Sequence, residues 1–103
     1  IINWSEPAET THNRIRAFSP KTGCYTRYGN DFLFIRSSEI VNLNTPVLSP
    51  GKILEKRGAA LLVATGTPDK AILADQITVY GFLSRLWSGQ YIKHKIQPGE
   101  HLL

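Results

Sequence analysis

The stretch Cys24-Tyr25-Thr26-Arg27-Tyr28-Gly29-Asn30-Asp31-Phe32-Leu33-Phe34-Ile35-Arg36 decides the fold. Its two flanks, Cys24–Arg27 and Phe32–Arg36, are rich in the aromatic and β-branched residues that suit a pleated, half-buried surface. Tyr28-Gly29-Asn30-Asp31 between them reads as a hairpin turn, so the pair predicts two adjacent antiparallel strands. Glu39-Ile40-Val41-Asn42 extends the second strand after a bend. Leu43 to Pro50 is a polar loop with two prolines. Pro50-Gly51 introduces another strand at Lys52-Ile53-Leu54-Glu55. Gly58 turns the chain into Ala59–Thr65, an unbroken apolar run that predicts a strand covered on both faces. Gly66-Thr67-Pro68-Asp69 is a turn, and Ala71-Ile72-Leu73-Ala74 the next strand.

Upstream of the hairpin, Trp4, Ala8, Thr11, Ile15 and Phe18 recur at helical spacing and form one stripe. Ser5 reads as the N-cap, Glu6 and Glu9 suit the positive end of the helix dipole, and Pro7 is tolerated in the first turn. Pro20 and Gly23 stop a helix placed at about residues 5–18. Downstream, Phe82, Leu83, Leu86 and Trp87 fit a short helix closing near Gly89, Tyr91–Ile96 is either strand or extended tail, and Pro98-Gly99 turns before Leu102-Leu103. One helix followed by about five or six short strands makes a mainly β fold, a small barrel carrying helices.

Composition bounds the rest. The 103 residues are 42% hydrophobic and 19% charged, which is globular and sized for a single domain spanning 1–103. The chain starts at Ile1 rather than Met, which reads as a processed product or a fragment of something larger. Twelve Lys and Arg against eight Asp and Glu give a formal charge of +4, a modest basic excess compatible with a polyanionic partner or with a merely solvated surface. The single cysteine excludes an internal disulfide. Apolar runs such as Ala59–Ala64 fall far short of the ~20 residues that span a bilayer, and Ile1-Ile2-Asn3-Trp4 lacks the basic region and long apolar core of a signal peptide. The expectation is a soluble, cytoplasmic protein with no membrane partner.

Sites of chemistry are scarce. Cys24 has no second cysteine, and His12, His94 and His101 are scattered without ligand spacing, so no metal site is expected. Gly58 and Gly66 belong to hairpin turns and lack phosphate-loop context. Cys24 reads as a small buried strand residue rather than a reactive thiol. In His12-Asn13-Arg14-Ile15-Arg16, Ile15 faces the core and the arginines the solvent, while His12 and Asn13 sit near the boundary, where they can hydrogen-bond to a following loop. In Tyr91-Ile92-Lys93-His94-Lys95-Ile96, an extended backbone puts Lys93 and Lys95 on one face with Tyr91, and Ile92, His94 and Ile96 on the other. That row suits phosphates and a stacking surface, and it equally suits an edge strand protected from aggregation by lysines.

Ile2-Asn3-Trp4-Ser5-Glu6-Pro7-Ala8-Glu9, His12-Asn13-Arg14-Ile15-Arg16-Ala17-Phe18-Ser19-Pro20 and Gly23-Cys24-Tyr25-Thr26 together resemble the entry to the carboxy-terminal domain of methionyl-tRNA formyltransferases. Pro50-Gly51-Lys52-Ile53-Leu54 and Leu61-Leu62-Val63-Ala64-Thr65-Gly66 are similar to later family elements, and Phe82-Leu83 and Pro98-Gly99-Glu100-His101-Leu102 to its closing ones. The resemblance covers nearly the whole chain, strongly to Thr26 and more thinly afterward. Thr11 stands where the family usually has Ile or Val, and Thr22 replaces the usual proline. The segments Asp69–Gln76 and Ser84–Gln97 also depart from the pattern.

The resemblance implies an OB-like open β-barrel with an N-terminal helix. It implies a parent formyltransferase in which a preceding Rossmann-like domain, carrying an Asn-His-Asp set, transfers formyl from 10-formyltetrahydrofolate to an amine. His12 falls on a helix of the second domain and is not that catalytic histidine. This chain is therefore expected to hold no catalytic residue, no cofactor and no metal, and by itself to transfer no formyl group. In the tRNA enzymes the barrel contacts tRNA through basic residues, which makes Arg27, Lys52, Lys56, Arg57, Lys93 and Lys95 the candidates here and initiator methionyl-tRNA the expected partner. Similar domains also occur in sugar-nucleotide and other folate-linked formyltransferases. There the barrel would serve only as a structural or oligomerisation module.

Overall fold

Two short hairpins organise the strands of this computed structural model, which describes residues 1–18, 24–80, 92 and 94–103. In the first, β1 (Cys24–Tyr28) and β2 (Asp31–Asn42) close through Gly29-Asn30; in the second, β3 (Ile53–Arg57) and β4 (Ala60–Ala64) close through Gly58-Ala59. Gly29 and Gly58 open these two-residue loops at φ 60 and 63, the left-handed backbone that tight hairpin turns demand. With β5 (Lys70–Tyr80) the strands form one antiparallel sheet in the order β1-β2-β5-β4-β3. The run β3-β4-β5 is a meander, and β2 returns beside β5 in a Greek key. The mainly β expectation holds. The short helix expected over Phe82–Trp87 lies outside the described residues.

The sheet's two edges are stitched together by the last residues of the chain. Gly99 N–H donates to the Ile53 carbonyl (2.7 Å), Ile53 N–H to that of Glu100 (2.8 Å), and Leu102 N–H to that of Gly51 (2.8 Å). Leu103 then exchanges both backbone hydrogen bonds with Arg27 on β1, at 2.9 and 3.1 Å. The tail thereby satisfies edge groups of β3 and β1, which would otherwise offer a template for another chain.

β5 is longer than the run Ala71–Ala74 read from the sequence, and its pairing with β2 has a defect that shapes the core. The register is continuous from Phe32↔Tyr80 to Asn42↔Lys70, but Arg36 and Gln76 are unpaired and Gln76 sits at φ 50. On one side of this point Leu33, Ile35, Ile77 and Val79 face the core; on the other, Ile40, Ile72 and Ala74 do. One extra residue on each strand exchanges the faces of both strands while the pairing is preserved.

Helix α1 (Ala8–Phe18) lies against β2, with contacts to β5 and β1, and buries Ala8, Thr11 and Ile15. Trp4 is buried as the stripe requires, but Phe18 is 53% exposed: the stripe leaves the core after Ile15. The capping expectation at Ser5 is also corrected. The helix starts three residues later, its first turn closes with Thr11 N–H on the Pro7 carbonyl (3.1 Å), and the Ala8 N–H is satisfied by the Thr67 hydroxyl (3.0 Å) from the β4–β5 turn. A residue distant in sequence does the work of a local cap.

Candidate nucleic-acid interface

Five of the six basic candidates lie among the described residues, in three places. Arg27 and Lys52 flank the tail: Arg27 pairs with Leu103, and Lys52 forms a bridge opposite His101. Lys56 and Arg57 end β3 at its hairpin. Arg57 Nε donates to Glu55 Oε1 at 3.0 Å in a solvent-exposed ion pair, which offsets part of its charge at a net energy of at most about 1 kcal/mol. Lys95 is exposed in a turn, and its carbonyl lies 3.1 Å from the Tyr28 hydroxyl, next along β1 from Arg27. Lys93 and Tyr91 lie outside the described residues.

The alternation expected for residues 91–96 is corrected. Ile92 and His94 have helical backbone, and Ile92 and Ile96, four apart, are buried while His94 is exposed. Helical spacing separates residues that strand alternation would have put on one face.

The tail is fastened beside these groups. Tyr28 Oη donates to Glu100 Oε1 at 2.5 Å, and Gln97 N–H donates to the same oxygen at 2.9 Å. Desolvation, then the hydrogen bond and negative charge of Glu100, push the Tyr28 phenol up to about 12. The two hydrogen bonds hold the Glu100 carboxyl below its ordinary range. Ser49 Oγ and His101 Nε2 share a hydrogen bond at 2.6 Å. Inside the barrel Trp4 Nε1 donates to Thr26 Oγ1 (2.9 Å), which donates to the Leu103 carbonyl (2.6 Å).

His12 has the structural role its boundary position allows, although its partner is on a strand: Nδ1 and Ser38 Oγ on β2 share a 2.7 Å hydrogen bond. Cys24 is buried, and desolvation pushes its thiol up, which disfavours the nucleophilic thiolate.

Arg27 differs from the lysines. Its guanidinium lies 5.9 Å from the Phe32 ring centroid, Nη2 reaches the Gly29 carbonyl at 3.4 Å, and Nε is enclosed without a partner. It belongs to an aromatic surface that the basic-residue argument missed. Tyr25 lies 5.7 Å from Phe32 and 5.5 Å from Phe34, and Phe34 lies 4.8 Å from Tyr80. The signal in sequence was the alternation Tyr25-x-Arg27 and Phe32-x-Phe34-x-Arg36, which puts rings and guanidiniums together on one strand face.

The family model for "Formyl transferase, C-terminal domain" matches residues 1–81. The chain belongs to this family. Its relatives include the methionyl-tRNA formyltransferase of Paracidovorax citrulli, 31% identical over 102 residues, covering 95% of this chain and 31% of that protein. That of Symbiobacterium thermophilum is 33% identical over 82 residues, covering 79% and 24%. That of Magnetococcus marinus is 28% identical over 104 residues, covering 99% and 31%. This formyltransferase C-terminal domain thus spans about a quarter to a third of the length of these relatives. Among its described residues, no helix is long and apolar enough to cross a membrane.

Proposed function

We propose that this domain is the tRNA-binding C-terminal part of a methionyl-tRNA formyltransferase. It holds initiator methionyl-tRNA while a separate catalytic domain of the same parent chain N-formylates the aminoacyl end, with 10-formyltetrahydrofolate as formyl donor. On this reading it works in the cytoplasm, in translation initiation. The observation that carries the reading is similarity to enzymes of that name across almost the whole chain. Basic residues on β1, on β3 and beside the tail supply the means.

The mechanism is electrostatic positioning. Arg27, Lys52, Lys56, Arg57, Lys93 and Lys95 neutralise phosphates along the tRNA backbone, each contact releasing condensed counterion. Holding the aminoacyl end near the catalytic domain replaces a bimolecular encounter by a local one. Lysines on a barrel surface position a backbone without reading paired bases, so discrimination between tRNAs is weak in this domain.

The test is titration of initiator and elongator tRNA at several salt concentrations. Dissociation constants of roughly 0.1–100 µM at low salt, weakening steeply as salt rises, are expected. Replacing Lys93 and Lys95 together by Ala lowers affinity for both tRNAs by similar factors and flattens the salt slope by at most ~2. A folded chain with no salt-sensitive tRNA binding would instead make the barrel a buttress for its parent enzyme.

A further inference from the structure

We propose that the outward face of β1, β2 and the end of β5 is a second nucleic-acid site, which takes unpaired RNA bases by stacking. The proposal rests on the tRNA-binding reading for the identity of its ligand; it shares Arg27 with that reading and adds a different kind of contact.

The register places the residues. Tyr25 opposes Phe34, Arg27 opposes Phe32, and Phe32 opposes Tyr80, so these side chains and Arg36 emerge on one face. The alternating residues Thr26, Leu33, Ile35 and Val79 are fully buried on the other. The core therefore does not require aromatic rings at the outward positions. Phe32 is 39% exposed, and Tyr25, Phe34 and Tyr80 are partly exposed. Their ring-to-ring spacings of 4.8 to 5.7 Å make a continuous π surface rather than isolated rings.

Charge selects the occupant. Arg27 stands beside Phe32 at one end of the surface, and Arg36, held by its hydrogen bond to Thr78 Oγ1 at 2.6 Å, stands at the other. No carboxylate occupies the paired outward positions of β1, β2 and β5 between them. Rings bracketed by guanidiniums match a single strand, whose bases offer π-faces and whose backbone offers phosphates; base–aromatic stacking of this kind tolerates any base sequence. A duplex, with its bases already stacked, can use only the arginines.

The unpaired Arg36–Gln76 point fixes where the surface ends. Beyond it the strands exchange faces, and residues of the outward parity, such as Ile40 and Ile72, turn into the core. The aromatic row thus stops at Arg36.

The whole chain is titrated with a labelled single-stranded RNA of about eight nucleotides, within the ~4–16 that one OB-type domain covers, and with a blunt RNA duplex. Phe32→Leu and Phe34→Leu keep apolar bulk and remove the ring. Each is expected to weaken single-strand binding about 5- to 150-fold and to leave duplex binding unchanged. Lys93→Ala with Lys95→Ala should weaken duplex and intact tRNA instead. In the wild type, photocrosslinks from bromouridine should map to Tyr25, Phe32, Phe34 or Tyr80, a readout that needs no variant to fold. The proposal is overturned if the wild type binds no single strand, if folded ring variants bind it unchanged, or if they lose single strand and duplex equally. Single-strand binding without tRNA binding would keep this site and discard the tRNA reading; tRNA binding without single-strand binding would do the reverse.

Discussion

Thr26→Val tests the buried chain of hydrogen bonds that ties the N-terminal segment, β1 and the C-terminal tail together. Thr26 is fully buried, and its hydroxyl accepts from Trp4 Nε1 and donates to the Leu103 carbonyl. Valine has nearly the same shape, so the change removes hydrogen bonding and leaves little cavity. The Trp4 side chain, 3% exposed, keeps an indole N–H with no partner, which costs about 1–3 kcal/mol. The Leu103 carbonyl loses one of two donors but retains the Arg27 N–H, for a further ~0.5–1.5 kcal/mol. Burying an added methyl returns about 0.8 kcal/mol. The net expectation is a loss of about 1–3 kcal/mol, and for a domain of this size each kcal/mol lowers Tm by roughly 4–8 °C. Urea denaturation of wild type, Thr26→Val, Trp4→Phe and the double variant measures it. In the Trp4→Phe background no indole donor remains to be orphaned, so Thr26→Val should cost about 1–3 kcal/mol less there. A loss below about half a kcal/mol in the single variant, or an equal loss in both backgrounds, would refute the reasoning.

Three further perturbations address other parts of the frame. Ile15→Ala, which empties a fully buried helix position, should cost about 2–4 kcal/mol, whereas Arg14→Ala, which removes an exposed pair with Glu6, should stay within about 1 kcal/mol; equal losses in thermal melts would show the helix face wrongly assigned. Gly66→Ala drives a Cβ into the Ser5 and Glu6 carbonyls where the β4–β5 turn meets the start of α1, so chemical denaturation should show a loss of about 1–3 kcal/mol or more; a neutral outcome would mean that this junction yields freely. In an alkaline absorbance titration Tyr28 should ionise near 12 in the folded chain. Its raised value adds stability that is present below the ordinary value of 10 and lost as pH rises toward 12, whereas the lowered Glu100 adds stability present above its ordinary value of 4.5 and lost as pH falls through the folded value. Tyr28→Phe should remove the alkaline dependence and reduce the acid one, since Gln97 N–H still donates to Glu100, and an unchanged pH profile of stability would count against the pairing.

Local chemistry made much of this protein readable in advance. The stripe from Trp4 to Ile15, the Tyr28–Asp31 turn, and the apolar run of Ala60–Ala64 are set by neighbours in sequence, and each became the expected element. The family resemblance, carried mainly by residues up to Thr26, was borne out by a match over residues 1–81. Long-range pairing decided what remained. That Thr67 rather than Ser5 caps the helix depends on a turn that folds back onto it. Glu39–Asn42 was expected to extend the second strand after a bend; the strand does run on, and an unpaired residue on each of two partner strands reverses their faces at Arg36, which no single strand's pattern reveals. Pairing with Tyr25 and Tyr80 gathered the rings of Phe32 and Phe34 on the outside, a placement that no reading of their own strand had addressed. Periodicity determines which residues share a face within one element; only the assembled sheet determines which face meets the core and which is left for a partner.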